Sequence, residues 1–169
     1  MRKKAQILVI GYSAELCNDN AYEIAYSVGS EVAKAGVVLV TGGLGGVMEA
    51  ASKGAAEKGG LIVGIIPQDD PKAANPYCDI VIPTGMGIMR DFLTAFACDA
   101  MIIVGGGAGS MIEACASYLK GKPILAIRGT GGIADELADR YLDGRRTTKI
   151  LGVNSPRDAV KKALKLIRA

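Results

Sequence analysis

"MIIVGGGAGSMIEA", residues 101–114, carries the pattern on which the fold turns. The apolar run Met101–Val104 has strand length. Gly105, Gly106 and Gly107 stop it, and a stretch of helical character with one acid, Glu113, follows. A glycine turn between a parallel strand and a helix lets backbone N–H groups approach a ligand closely, with the positive helix end behind them. That arrangement suits phosphate.

The same order occurs in "VVLVTGGLGGVMEA", residues 37–50, which runs strand, glycines, helix and acid, here Glu49. One such turn is explained as well by chain geometry as by a ligand. Two in one domain favour a ligand, held where both turns face a crevice at the carboxyl ends of the strands. The candidate contacts are Gly42, Gly43, Gly45, Gly46 and Met48 in the first turn and Gly106, Gly107, Gly109 and Ser110 in the second, with Gly11 and Ser13 after the first strand.

Working outward, strands are predicted at Gln6–Ile10, Val37–Val40, Leu61–Ile66, Ile80–Ile82, Met101–Val104 and Pro123–Ile127. Helices are predicted at about Ala21–Ala35, Val47–Lys58, Ile88–Cys98, Ser110–Leu119, Ala134–Leu142 and Pro156–Ile167. This alternation reads as an α/β fold, a mainly parallel sheet of six or seven strands with helices on both faces. No Ser- or Pro-rich linker divides the chain, and 169 residues suit one domain, so residues 1–169 read as a single unit. The longest irregular stretch, "PQDDPKAANPYCD" at residues 67–79, is a surface excursion or a lid.

Composition removes several chemistries. The chain has no histidine, and Cys17, Cys78, Cys98 and Cys115 form no CxxC, which excludes histidine zinc sites, Ser-His-Asp triads and Cys-His pairs. Unpaired cysteines point to a reducing cytoplasm. A net charge of +3 without a long basic block does not indicate nucleic acid as a partner, and no apolar run is long enough for a membrane span. The chain reads as soluble and untargeted, and no metal or other cofactor is required for it to fold. Neither turn has the Gly-Lys-Ser/Thr of an ATPase, and the first strand lacks the GxGxxG of a nicotinamide site.

Two charged residues stand out. Ser110-Met111-Ile112-Glu113 has capping-box spacing, yet the helix around Glu113 is apolar enough to be buried. A buried acid beside a phosphate cradle suits a general base or a cation-stabilising carboxylate, and one residue can be both cap and catalyst. Arg90 opens a helix whose apolar stripe is Met89, Phe92, Leu93, Phe96 and Ala97. It lies off that stripe, directed either to solvent or, from a start near the crevice, toward the site. Asp99 reads as a turn or cap residue.

These residues resemble a known family. "GGGAGSMIE" is similar to the PGGxGTxxE motif of the Lonely Guy phosphoribohydrolases, often labelled lysine decarboxylase-like, and "TGGLGGVMEAASKGA" resembles their earlier GGGxxGLMG turn. Arg90 occupies the place of their arginine ahead of the motif. The resemblance covers roughly residues 5 to 128. It implies a Rossmann-like, nucleotide-binding fold and a homo-oligomer, dimer or tetramer, with helices such as Ser110–Leu119, carrying Cys115 and Tyr118, as possible interface. It also implies catalytic roles for Arg90 and Glu113 in hydrolysing the N-glycosidic bond of a nucleoside 5′-monophosphate. No motif supplies a lysine for decarboxylase chemistry.

Three positions depart from the motif: Gly105 replaces its proline, Ser110 its threonine and Asp91 the lysine that follows the arginine. The wider pattern, with "GGVMEAASKGAAEKGG" and "IPTGM", looks closer still to a branch that includes molybdenum-cofactor carrier proteins. That likeness implies a non-catalytic carrier or sensor of a phosphorylated cofactor. Both readings share a small phosphorylated ligand, a bound nucleotide or molybdenum cofactor.

Overall fold

The computed structural model describes residues 4–167. Seven strands, β1 (Gln6–Gly11), β2 (Val38–Thr41), β3 (Ile62–Ile66), β4 (Ile80–Pro83), β5 (Ala100–Val104), β6 (Ile124–Ile127) and β7 (Ile150–Val153), form one sheet. All pairings are parallel, in the order β4-β3-β2-β1-β5-β6-β7. The helices are α1 (Asp19–Lys34), α2 (Val47–Ala56), α3 (Arg90–Ala97), α4 (Ala108–Leu119), α5 (Gly132–Leu137) and α6 (Pro156–Ile167).

Successive strand residues serve opposite layers. Ile7, Val9, Leu39, Ile102 and Leu125 pack with residues of α1, α2 and α6, while Leu8, Ile10, Val40, Met101 and Ile103 pack with those of α3, α4 and α5. Because both faces of the central strands are covered, they read as unbroken apolar runs. The chain thus adopts the expected Rossmann-like α/β fold.

Chain order sets the position of the crevice. From β1 the sheet grows through β2 and β3 to the edge strand β4, and β5 then returns to the other side of β1. The glycine turns after β2 and β5 therefore leave on either side of β1, and a crevice opens at that reversal.

The seven strands fall within the six or seven expected, β7 being the one that no apolar run marked because "ILGV" is short. One helix boundary needs correction. The helix expected to reach Leu142 ends at Leu137, because Ala138 turns extended and Asp139 adopts φ 64°. Asp139 N–H then donates to the Ile150 carbonyl and its carboxylate accepts from Gly152 N–H, so this segment serves β7 instead.

The structure also sets the orientation of α3. Its apolar stripe faces outward, with Met89 55% and Phe96 48% exposed and Ala97 half-buried, whereas Arg90, Asp91, Thr94 and Ala95 face the interior. The helix is only eight residues long, and its carboxyl end is held from outside: Lys122 Nζ donates to the carbonyls of Ala95, Phe96 and Cys98. Charge-assisted bonds to otherwise orphaned helix carbonyls stabilise both the helix and its placement. Lys122→Met is expected to lower stability by about 2 kcal/mol in urea unfolding; an unchanged midpoint would show that water serves those carbonyls equally well.

Candidate functional site

A cleft of about 260 Å³ opens at the carboxyl end of β1. Ile10, Gly11, Tyr12 and Ser13 form its floor, Gly42, Leu44 and Met48 one wall, and Gly107, Ala108, Gly109 and Ser110 the other. Arg90, Asp91 and Glu113 close its inner end. Thus Gly11, Ser13, Gly42, Met48, Gly107, Gly109, Ser110, Arg90 and Glu113 come together there. Gly43, Gly45, Gly46 and Gly106 are not among the lining residues. Gly46, for example, has φ 69° and packs so closely that a methyl would lie 2.5 Å from the Tyr12 carbonyl oxygen. These glycines shape the turns behind the cleft surface.

Arg90 is nine-tenths buried and is the one cation lining the cleft among the described residues. Its Nε lies 3.5 Å from Asp91 Oδ1, which pairs the charges without making a hydrogen bond, and Nε has no other partner. A buried donor left open in this way is costly unless something fills it. Gly42 makes room for the same side chain, since a methyl there would stand 2.2 Å from Arg90 Nη1. Its role is therefore steric as much as backbone exposure.

Glu113 is not a cap. The N-cap of α4 is Gly107, Ser110 lies in the first turn, and Ser110 Oγ donates to the Gly11 carbonyl at 3.0 Å. Glu113 sits one turn deeper, with Oε1 2.6 Å from Thr94 Oγ1 on α3. Burial raises its pKa from 4.5 to about 7; the Thr94 hydroxyl, where it donates to the carboxylate, opposes the rise, Asp91 adds to it and Arg90 opposes it. Asp91 is raised too, first by burial and against the pull of Arg90.

Gly105 explains why the motif's proline is absent. Its φ is 63° and its N–H donates to Thr130 Oγ1 at 2.8 Å, so proline, fixed near φ −65° and lacking an N–H, fits neither requirement. The loop after β5 therefore has a backbone that a PGG loop does not share.

Sequence reasoning missed Tyr12, Leu16, Leu44 and Thr94, and met Asp91 only as a reversed charge. Arg90, Asp91 and Thr94 share one helical face by the i, i+3 and i+4 rule, a signal that the apolar stripe on the other side of α3 outweighs in the pattern. The 67–79 loop does not line the cleft. It is tied behind it, where Asn75 N–H donates to the Gly43 carbonyl and Asn75 Nδ2 to that of Leu44. Asp99, expected to hold a turn or a cap, instead ties the start of β5 to that of β1, its carboxylate accepting from Gln6 N–H at 2.9 Å. Tyr118 is buried, its hydroxyl on Asp143, and is not available to an interface, although Cys115 on the same helix is exposed.

The raised Glu113 pKa makes stability pH-dependent. In the folded chain the proton is retained up to about pH 7, whereas the unfolded carboxyl releases it near 4.5. The folded state binds more protons in between, so this contribution is full below pH 4.5 and is lost as pH rises through 7. Glu113→Gln, neutral throughout, is expected to exceed the parent chain by about 3 kcal/mol at pH 8, with the gap closing in acid. Urea unfolding across pH reads this directly; a gap that does not vary with pH would exclude burial of the carboxyl as its cause.

Residues 4–160 match the SLOG cluster4 family. An uncharacterized protein of Archaeoglobus fulgidus is 44% identical over 126 residues, covering 75% of this chain and 82% of that one. Among solved structures, TM1055 is 34% identical with a TM-score of 0.88, covering 95% of this chain and 99% of its own. The molybdenum cofactor binding protein of Rippkaea orientalis is 28% identical with a TM-score of 0.87, covering 99% of both chains. The molybdenum cofactor carrier protein of Chlamydomonas reinhardtii is 27% identical with a TM-score of 0.85, covering 99% of this chain and 100% of its own. With the family match spanning nearly the whole described chain, this protein belongs to the SLOG cluster4 family.

Proposed function

We propose that this protein is a carrier of a phosphorylated cofactor of the molybdenum-cofactor type, held intact in the cleft beside β1. The observation that carries the reading is the buried, unpartnered Nε of Arg90, the kind of donor that a phosphate oxygen satisfies. The donor set fits the organic part of such a cofactor better than its metal: no cysteine lines the cleft, while Asp91 and Glu113 offer oxygens to the N–H groups of a heterocycle. At about 260 Å³ the cleft is smaller than the roughly 300–1,000 Å³ usual for small-molecule pockets, which suits enclosure of one end of a ligand. Ser13 and the open backbone at Gly107 and Gly109 would hold the phosphate with Arg90, while Ser110, bonded to the Gly11 carbonyl, fixes the wall of the cleft. The cofactor would bring its own redox chemistry; this chain's residues bind, orient and shield it. The likeness to two molybdenum-cofactor proteins along nearly the whole chain favours this over hydrolysis, as does the altered loop at Gly105.

The hydrolase reading keeps one observation in its favour, the meeting of Arg90 with a Glu113 that holds its proton near neutrality. The test separates the two. The protein is incubated with molybdenum cofactor released from a molybdoenzyme and, separately, with nucleoside 5′-monophosphates. Gel filtration then reads bound pterin, and chromatography reads free base. Pterin co-eluting with the protein, weakened at least ~10-fold in Arg90→Gln, is expected. Base release abolished by Glu113→Gln would establish the hydrolase instead.

The carrier is proposed to act in the cytoplasm, where its free cysteines suit a reducing medium, and as a homo-oligomer. Its contact face is the outer side of α3. Ile80 and Ile82 pair in register with Val63 and Ile65, so they lie on the same sheet layer as α3, beyond its cover. With Met86, Ile88, Met89, Phe92, Leu93 and Phe96 they are large apolar side chains left exposed together, the kind of surface that marks an interaction site. A second copy presenting the same apolar face, with Lys120 over the Phe96 ring at its edge, is the fitting occupant. Phe92→Asp combined with Phe96→Asp is expected to yield monomer in sedimentation velocity; an assembly unaffected by both charges would place the interface elsewhere.

A further inference from the structure

Three oxygens between α3 and α4 lie too close together for the protons of one hydroxyl. Thr94 Oγ1, fully buried, is 2.8 Å from the Asp91 carbonyl oxygen and 2.6 Å from Glu113 Oε1. Both are O–H···O distances, and oxygens this close with no proton between them repel. The hydroxyl supplies one proton and the carbonyl none. Satisfying both contacts takes a second proton, and Glu113 is the one member of the trio able to bring it. Its carboxyl then donates to Thr94 Oγ1, and Thr94 donates onward to the Asp91 carbonyl. If Glu113 were ionised, Thr94 would have to share its one proton between two acceptors in a weaker three-centre bond.

The charged groups around Glu113 are Asp91 and Arg90 from α3; the Cys98 thiol at the end of that helix, pushed up to about 11 by burial, is neutral, and Ser110, Ser13 and Tyr12 line the same cleft with hydroxyls. Arg90 is thus the single cation against two carboxyl groups in a desolvated place, and that balance also favours a neutral acid.

We propose that Thr94 is a positioning residue that keeps Glu113 a neutral carboxylic acid at neutral pH, through a relay from the Glu113 carboxyl to the Thr94 hydroxyl to the Asp91 carbonyl. One consequence rests on the carrier reading above. With Glu113 uncharged, Arg90 faces one carboxylate in place of two, so an anionic phosphorylated ligand meets less repulsion and binds more weakly as pH rises through the titration of Glu113.

The relay is tested without any ligand, by ¹³C NMR titration of the protein carrying ¹³C-labelled glutamate carboxyls, with Glu113 identified by its loss in Glu113→Gln. The Glu113 midpoint is expected near neutrality. It should fall by about one pH unit in Thr94→Val, because the neutral acid loses its acceptor, and recover in Thr94→Ser. A midpoint in the ordinary carboxylate range, or one that rises in Thr94→Val as for a hydroxyl that serves the carboxylate, overturns the relay. If the valine variant does not fold, Thr94→Ala, which also removes the hydroxyl, replaces it with the same fall expected. Adenosine monophosphate, used as a phosphorylated probe in calorimetry, reads the consequence separately. Binding at least ~3-fold tighter at pH 6 than at pH 8, beyond any change in Glu113→Gln, supports the linkage. Equal change in both proteins overturns the linkage, and no binding at either pH counts against the phosphorylated-ligand reading while the NMR result stands.

Discussion

Burial of the Arg90 guanidinium against Asp91 is the constraint on which the rest of the site depends. Removing these charges from water is expensive, and an adjacent ion pair at 3.5 Å without a hydrogen bond offsets only part of that cost. The chain accommodates it by turning the polar face of α3 inward, which leaves Met89, Phe92, Leu93 and Phe96 outside. Lys122 fixes the far end of the helix, Gly42 leaves space for the guanidinium, and Thr94 carries the contact to Glu113. An arrangement that is weak as a stabiliser and still leaves a buried donor open makes physical sense when a ligand completes it.

The same inversion couples the two faces of one short helix. Its inner side bounds the cleft, and its outer side is the apolar surface proposed for a second copy. Ordering one side restrains the other, because eight residues form little more than two turns and have few independent motions. The proposed assembly and the proposed ligand retention would therefore draw on the same element.

The glycines divide by task. Those after β2 and β5 whose backbones are packed against neighbours, such as Gly43 and Gly46, set the course of the turns, while Gly107 and Gly109 leave the cleft wall uncrowded. Gly105 belongs to the first group and also records the departure from the PGG motif: its positive φ and its bond to Thr130 define a loop that proline cannot form. Motif likeness and physical identity of the loop are separate matters here, and the difference bears on the choice between holding a ligand and cleaving it.

The amino-acid sequence by itself determined the layered α/β plan, because apolar runs of strand length alternating with helical segments have few other ways to bury their surfaces. It also marked the two glycine turns and singled out Arg90 and Glu113, since glycine at strand ends and an isolated acid in an apolar helix are visible as residue types. Only the tertiary structure decided which way α3 faces, because an amphipathic pattern defines two sides of a helix without saying which one meets the core. It likewise decided that Glu113 meets Thr94 instead of capping α4, and that β7 completes the sheet through Asp139. Those outcomes depend on contacts between segments distant in the chain, where desolvation and hydrogen-bond partners are set by neighbours that no local spacing reveals.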